Sequence, residues 1–460
     1  MKKSRMHMSM LLMILGCLTA LLVACGTSAV AAGNGSSTSN NQLTLVNTHN
    51  HKKSKPTPTP TPVRRPTPTS NPTIIKIGLD LPLSGVDASL GQSAENGALL
   101  AINQANANKV LPGYTFQLIA KDDANATTGL PDATIAIQNV TALIQDAQVA
   151  GIIGAFDTTT AEAELPIANK AGIALLSPSA TYTCLTQASA TANCGTLLNT
   201  LSPTGKTTFF RLAPTDLQQG EALADFAYQT KGYRKVYVID DTSAYGVGLA
   251  NGFVSRYQAD FGTLLGRMSA GQMPSYLNLL TQIAVLKPDA IFYAGSDSEG
   301  TTIRQQMLRI ASLTNIPFLG GNGIHTMTFA NAIAPMGGGP NYSTELALMP
   351  TTGTFVQQYQ AAYGTPGSYS VAGYDSVNIL LAALKATIAG KLAAPTSSSQ
   401  TTVATTFRSS VINGVTQTNY TGVTGIQYTF TAGGDALNNT IEVDVLAGSQ
   451  WTANTTEQVV

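Results

Sequence analysis

Residues 151–181 combine the patterns that most restrict what this chain can fold into. An apolar run ends at Gly154, a polar Asp-Thr-Thr-Thr turn and a helical segment follow, and a second apolar run leads into Ser-Pro-Ser-Ala-Thr. Short apolar runs bounded by turn residues are typical of buried strands, so we predict a strand–helix–strand unit of a parallel sheet. Both loops leave the carboxyl ends of their strands, the edge at which open α/β sheets bind ligands.

The same alternation of short apolar runs and longer helical segments recurs along the chain. Strands are predicted at 75–81, 116–121, 149–153, 173–176, 235–240, 263–268, 290–294 and 317–319. Strands separated by helices at this interval imply right-handed crossovers and parallel sheets covered on both faces. We therefore predict an α/β fold with two sheets of similar construction, the second beginning around residues 209–214.

The amino-terminal residues are predicted to direct export. Residues 1–24 have a basic start and an apolar run too short for an ordinary membrane span, as in a signal peptide. Leu22-Val23-Ala24-Cys25 resembles the lipobox of bacterial lipoproteins, in which the cysteine is acylated. We expect Cys25 to hold the protein on the outer face of the cell membrane without a span, although an uncleaved anchor with an incidental cysteine is the alternative.

Residues 25–73 lack hydrophobic periodicity and become rich in Pro and Thr, so we predict a disordered tether. Eight basic residues and no acidic residue precede residue 74, which leaves 17 basic against 25 acidic residues in the remainder. This negative balance argues against nucleic acid as a partner, because a nucleic-acid-binding surface is basic.

Two cysteines remain for the folded part. Cys184 and Cys194 bracket nine residues of loop-like sequence, and an exported protein meets an oxidising compartment. We expect them to form a disulfide that closes a local loop. No histidine lies near them in sequence, so we expect no metal site there.

Six motifs are distributed over residues 74–380. They are IKIGLDLPLSG at the start, KDDA at 121–124, PIANKAGIALLSPSAT at 166–181, FFRLAPTDLQQG at 209–220, DDTSAYGVGL at 240–249 and GYDSVNIL at 373–380. In this order they resemble the motifs of the type I periplasmic binding proteins, in particular the solute receptors of branched-chain amino acid ABC transporters. The resemblance implies two doubly wound α/β lobes, joined by three crossovers, that close on a ligand. It places lobe 1 at 74–212 and 349–430 and lobe 2 at 213–348 and 431–460, the last including a tail.

The resemblance also implies the ligand contacts. Hydroxyl and amide groups of lobe 1 would hold a carboxylate and an ammonium, and an aromatic residue with the loop at 295–299 would close from lobe 2. These positions are Thr158, Thr159, Ser179, Ala180, Thr181, Tyr245, Ser296, Asp297 and Asn322.

Asn322 is a departure from the family pattern, which has an acidic residue that pairs with the ammonium. A neutral amide cannot compensate a buried cation, so Asp297 or Glu299 is the candidate for the missing charge. The alternative is that the ligand is not an α-amino acid, because related receptors bind amides, aromatic acids and other small solutes. Leu90 likewise replaces an aromatic residue. Asp122 and Asp123 are expected to be structural.

Elementary chemistry points to the same class of site. A helix beginning near Thr159 is expected to present unpaired N–H groups and a positive dipole end to a carboxylate. The alternative is that Thr158, Thr159 and Thr160 only cap this helix. For Tyr245 the alternative is a packed surface aromatic without a role in binding.

We therefore predict a monomeric, lipid-anchored solute-binding protein of an ABC importer, with an amino-acid-like, carboxylate or amide ligand, an ABC permease as partner and no cofactor. A ligand-sensing receptor for a signalling partner is the alternative, since it uses the same lobe closure. An enzyme is the weaker rival, because the folded part has one histidine, His325, and no nucleophile or phosphate-binding motif.

Overall fold

The computed structural model describes residues 71–345, 350, 352–437 and 440–458. The predicted signal peptide, nearly all of the tether and the predicted lipidation site Cys25 lie outside the described residues.

The first sheet has five strands in the order β2-β1-β3-β4-β5, and all neighbours are parallel. The strands are β1 Thr73–Leu81, β2 Tyr114–Asp122, β3 Val149–Ile153, β4 Ala174–Ser177 and β5 Phe209–Arg211. The helices that connect them are α1 Ala88–Ala107, α2 Ala133–Gln145, α3 Thr158–Ala171 and the short α4 Leu197–Leu201.

Local sequence explains where these elements begin and end. All five residues of β3 are buried, as expected for a central parallel strand covered on both faces. Helix α2 begins after Asp132, whose carboxylate accepts hydrogen bonds from the N–H groups of Thr134 (2.8 Å) and Ile135 (3.2 Å). Helix α3 ends at Gly172, which adopts the left-handed conformation (φ 63°) that glycine tolerates best.

The second sheet has seven strands in the order β14-β13-β10-β9-β8-β6-β7. Strands β6 to β10 pair in parallel, whereas β13 and β14 are added antiparallel at one edge. The strands of this sheet and the helices between them are α5 Asp216–Asp225, β6 Lys235–Asp240, α6 Ala244–Ala259, β7 Thr263–Ser269, α7 Leu277–Leu286, β8 Ala290–Ala294, α8 Asp297–Met307, β9 Phe318–Gly320, α9 Met327–Ile333, β10 Asn341–Glu345, β13 Thr440–Ala447 and β14 Gln450–Gln458.

The chain between β10 and β13 forms three helices and a separate two-stranded sheet. These elements are α10 Thr354–Tyr363, α11 Ser370–Ala389, α12 Thr401–Thr416, β11 Tyr420–Thr421 and β12 Gln427–Tyr428.

The predicted α/β fold class, with two parallel-dominated sheets, is confirmed. Helix α11 is long and apolar enough to cross a membrane, but it is mostly buried and packs with α12 in the core of the first sheet. The chain thus passes from the first sheet to the second after β5, returns after β10, and passes again before β13. These crossings support the lobe boundaries given above, which stay a prediction.

Cys184 and Cys194 are joined by a disulfide that closes a loop beside the first sheet. Their Cα atoms lie 5.1 Å apart, and both cysteines are buried in a hydrophobic cluster with Leu185 and Leu201. The cross-link therefore restrains a loop whose apolar residues belong to the core.

Replacing both Cys184 and Cys194 with serine is expected to lower the free energy of unfolding by about 2–4 kcal/mol, because the unfolded chain regains the entropy of the open loop. Chemical denaturation of the variant checks this, and wild-type protein under reducing conditions is the matched control. Equal transition midpoints for oxidised wild type and the variant would contradict the prediction.

Candidate functional site

A cavity of about 390 Å³ lies between the two sheets, at the carboxyl ends of their strands. Loops after β1, β3 and β4 reach it from one side, and loops after β6, β8 and β9 reach it from the other. All the residues predicted to contact a solute line it: Thr158, Thr159, Ser179, Ala180, Thr181, Tyr245, Ser296, Asp297 and Asn322. Leu90 lines it as well. The structure thus brings the predicted positions together, while their role in binding stays a prediction.

The amino terminus of α3 differs from the expectation of free N–H groups. Asp157 is the N-cap residue, and its carboxylate accepts hydrogen bonds from the N–H groups of Thr159 (2.7 Å) and Thr160 (3.1 Å). The expectation that these two groups are open to a solute carboxylate is therefore wrong, because the chain supplies its own anion. Thr158 keeps its N–H and hydroxyl without a partner among the described residues.

The loop after β4 is held by internal hydrogen bonds. The Ser177 hydroxyl donates to the carbonyl of Ala155 (2.6 Å) and accepts from the N–H of Ala180 (2.8 Å). The Ser179 hydroxyl donates to the carbonyl of Phe156. Ser179 can therefore offer a solute a hydrogen-bond acceptor, since its own proton is already used.

Asn322 connects two tyrosines across the cavity. Its amide oxygen accepts a hydrogen bond from the Tyr245 hydroxyl (3.1 Å), and its amide nitrogen donates to the Tyr369 hydroxyl (3.4 Å). Tyr369 also packs edge-on against Phe156, with ring centroids 4.8 Å apart. The amide at position 322 thus has a structural partner at each end, and it leaves the charge of a solute to other residues.

Close backbone packing positions Tyr245. Its hydroxyl accepts a hydrogen bond from the N–H of Gly323 (2.9 Å). A Cβ atom at position 323 would lie 2.5 Å from the carbonyl oxygen of Gly295, which explains the glycine in the loop after β9. Tyr245 is therefore a half-buried part of the cavity wall rather than a surface aromatic.

Acidic side chains enter the cavity from both sheets, whereas no lysine, arginine or histidine of the described residues lines it. The acidic residues are Asp87, Asp157, Glu162, Asp241 and Asp297. The negative charge that an acidic residue at position 322 would supply is therefore present on neighbouring side chains of the cavity. Of the two candidates named from the sequence, Asp297 lines the cavity, while Glu299 accepts a hydrogen bond from Ser296 (2.7 Å) and does not.

Burial makes these carboxylates harder to ionise. It raises the pKa of Asp87 to about 6, with further increases from the nearby charges of Asp297 and Asp157. Burial also raises the pKa of Asp157, Asp241 and Asp297, although hydrogen bonds oppose this effect. Like charges that face a partly buried cavity are stabilised by a cation placed between them.

Several cavity residues escaped the sequence prediction. Asp87 and Asp241 lie in the loops that follow the predicted strands β1 and β6, so the rule that ligands bind at strand ends could have pointed to them, although the family resemblance did not. Glu162 lies on α3, one helical turn after Thr158. Tyr369 precedes α11, far from these loops in sequence, and only its position just before the GYDSVNIL motif marks it.

Asp122 and Asp123 lie outside the cavity lining. The Asp122 carboxylate accepts hydrogen bonds from the N–H groups of Leu83 (2.9 Å) and Ala124 (3.1 Å) and so fixes the loop after β1. Asp123 is fully buried. Their arrangement agrees with a structural role.

Comparisons with known proteins agree on the class of protein. A family model described as periplasmic binding protein matches residues 74–454. An amino acid binding protein of Pseudomonas aeruginosa is 25% identical over 67% of this chain and 78% of that relative. The Leu/Ile/Val-binding protein BraC3 of Rhizobium johnstonii is 26% identical over 55% of this chain and 63% of its own length.

Solved structures show the same fold. The branched-chain amino acid transporter substrate-binding protein LivJ of Streptococcus pneumoniae, solved in complex with isoleucine, superposes with a TM-score of 0.66. It is 22% identical, and the match covers 84% of this chain and 99% of that one. Together with the family match over most of the chain, this shows that the protein belongs to the periplasmic binding protein family.

Proposed function

We propose that the protein is the extracytoplasmic solute-binding component of an ABC importer and binds a small amino-acid-like solute between two closing lobes. The observation that carries this proposal is the cavity between the two sheets, which both sheets line with polar side chains. Its relatives are named as amino acid binding proteins rather than as enzymes. A cleft with residues on both sides couples binding to closure, because a solute contacts both walls only when they approach each other.

The proposed mechanism begins on the side of the first sheet. Thr158 offers its N–H and hydroxyl there, and Ser179 and Thr181 lie beside it in the cavity wall. Tyr245 and Asp297 then contact the solute from the side of the second sheet. Closure would present a distinct surface to an ABC permease, and acylation of Cys25 would keep the monomeric receptor at the membrane.

A thermal-shift screen against amino acids, amides and aromatic acids tests the proposal. At ligand concentrations about 100-fold above the dissociation constant, a bound solute stabilises the folded protein by about 2.7 kcal/mol, which gives a readily measured rise in melting temperature. We expect at least one amino-acid-like solute to produce such a rise. A folded protein whose melting temperature no amino acid, amide or aromatic acid raises would contradict the proposed function.

Replacing Thr158 with valine is expected to weaken binding of a solute found in this screen by about two- to tenfold, since one neutral hydrogen bond contributes about 0.5–1.5 kcal/mol. Isothermal titration calorimetry measures the change. Thr405→Val on the exposed face of α12 is the matched control and should leave the affinity unchanged. Unaltered affinity in Thr158→Val would remove Thr158 from the site.

A further inference from the structure

The charge of the cavity narrows the class of solute, on the basis of the proposed function. We propose that the solute is a cation with two positively charged nitrogen groups, such as a basic amino acid or a diamine, rather than a neutral aliphatic amino acid. The shared chemistry is a pair of amino or guanidino groups joined by a short aliphatic chain.

The first argument is the charge balance of the lining. Five carboxylates line a cavity of about 390 Å³, and no basic residue of the described chain lines it. A neutral zwitterion offers one positive and one negative group, so it leaves this excess of negative charge uncompensated. A solute with two cationic groups compensates more of it, and its attraction is strengthened because the site is partly removed from water.

The second argument is the state of the α3 amino terminus. Helix amino termini bind anions because their first N–H groups lack partners. In this chain the carboxylate of Asp157 already takes the N–H groups of Thr159 and Thr160. A solute carboxylate at this helix end would lie next to the negative charge of Asp157, with Thr158 as the remaining donor of the first turn. We therefore expect this cavity to bind the carboxylate of a solute more weakly than its cationic groups.

The third argument is the distribution of the acids over both walls. Asp87, Asp157 and Glu162 belong to the side of the first sheet, while Asp241 and Asp297 follow β6 and β8 of the second. No described residue donates a hydrogen bond to the Asp87 side chain, whose carboxylate oxygens are therefore free for a ligand. Asp297 accepts hydrogen bonds from the Thr326 hydroxyl (2.7 Å) and from the N–H groups of Asp297 and Ser298, and its carboxylate faces the cavity with no cationic partner among the lining residues.

The charge of Asp297 contributes to the environment of Asp87, so like charges oppose each other across the cleft. Closure without a cation would increase their repulsion. A solute with a cationic group near each wall removes the repulsion and so couples its own charge to lobe closure.

Aromatic rings complete a site for such groups. Tyr245, Tyr369 and Phe156 line the cavity beside the carboxylates, and their ring faces attract ammonium and guanidinium ions. The aliphatic chain between two cationic groups would pack on Leu90.

The experiment compares matched solutes by isothermal titration calorimetry with the full chain. L-lysine is compared with L-norleucine, which lacks its second amino group, and L-arginine with L-citrulline, which has the same shape without the charge. Cadaverine and agmatine lack the carboxylate and distinguish a diamine from a basic amino acid. L-leucine represents the neutral aliphatic class.

We expect at least one cationic member of these pairs to bind about tenfold or more tightly than its neutral counterpart, and its affinity to fall as salt is raised from about 50 to 500 mM because the charges are screened. Asp297→Asn should weaken that binding by about tenfold, equivalent to about 1.4 kcal/mol. The control Glu457→Gln removes one negative charge on β14, outside the cavity, and should leave binding unchanged.

Tighter binding of norleucine, citrulline or leucine than of the cationic solutes would overturn this inference and leave the proposed function standing. Absence of binding by every solute compared here would overturn this inference, and it would contradict the proposed function only if the thermal-shift screen also finds no stabilising solute. If Asp297→Asn fails to fold, the matched ligand pairs and the salt dependence decide with the wild-type protein alone.

Discussion

Arg211→Met is expected to lower the free energy of unfolding by about 3–5 kcal/mol, because it leaves a buried carboxylate without its cation. Arg211 ends β5 and is fully buried, and its Nε lies 2.6 Å from a carboxylate oxygen of Asp435. Its guanidinium also donates to the carbonyl of Tyr182 (2.6 Å). The side chain therefore joins the last strand of the first sheet to the disulfide loop and to the segment before β13.

Urea denaturation of Arg211→Met and of a matched surface variant tests this expectation. Arg256→Met removes the ion pair between Arg256 and Asp225, which has the same N–O distance class (2.7 Å) but a side chain that is 37% exposed. The Asp225 side chain is only 11% exposed, but it keeps a hydrogen bond from Gln229 (3.1 Å), and the guanidinium of Arg256 lies partly in water, so this control should lose clearly less stability than Arg211→Met. Similar losses of unfolding free energy in the two variants would contradict the conclusion that the buried Arg211–Asp435 ion pair stabilises the fold.

His325→Leu is expected to have an effect of comparable size, again about 3–5 kcal/mol, since it would take the cationic partner away from two carboxylates in the interior. The His325 ring lies between Glu345 on β10 and Asp444 on β13, with N–O distances of 2.8 and 3.0 Å. It also stacks on Trp451 of β14, with ring centroids 4.9 Å apart. This one histidine therefore links the loop after β9 to three strands of the second sheet.

The contribution of His325 depends on pH in a defined direction. Burial alone would lower the pKa of His325, but the charges and hydrogen bonds of Glu345 and Asp444 raise it to about 10. The unfolded value is about 6.5, so the folded state holds the proton more tightly. The stabilisation is therefore complete below about pH 6.5 and is lost as the pH rises toward 10.

Unfolding curves at several pH values between 6.5 and 10 check this dependence. We expect the wild type to lose more stability over this range than His325→Leu, because the variant lacks the group whose pKa shifts. In the variant background, changing Glu345 to Gln and Asp444 to Asn should restore part of the stability by removing the uncompensated charges. Parallel pH profiles for wild type and His325→Leu would show that the imidazole is not charged in the folded protein.

The parallel sheets were predictable because their strands appear in the sequence as short apolar runs. Strands β3 and β8 are buried along their whole length, so solvent imposes no alternation that would obscure the pattern. Strand β14 is the opposite case and has no counterpart among the predicted strands. Its sequence QWTANTTEQ is polar and mostly exposed, and it forms a strand because β13 offers an open edge for pairing.

The candidate site was predictable for a related reason. Parallel strands end at one edge, so Thr158 and Thr181, which follow β3 and β4 of the first sheet, are expected to lie close together. Tyr245 follows β6 of the second sheet, and only the family resemblance placed it opposite them. The position of Tyr369 depends instead on how α11 packs on the first sheet, which local sequence does not encode. The cap formed by Asp157 required a choice between four adjacent polar residues, and the backbone geometry made that choice.

The bridge from Tyr245 through Asn322 to Tyr369 has a consequence for the lifetime of a complex. Its hydrogen bonds join the two walls with no solute present, so the protein itself contributes to holding the cleft together. If the proposed solute binds in this cleft, its release would require the bridge to open, and a change in the bridge would alter the fraction of protein that is ready to bind. We therefore expect Asn322 to affect the residence time of a solute more than the recognition of its charge.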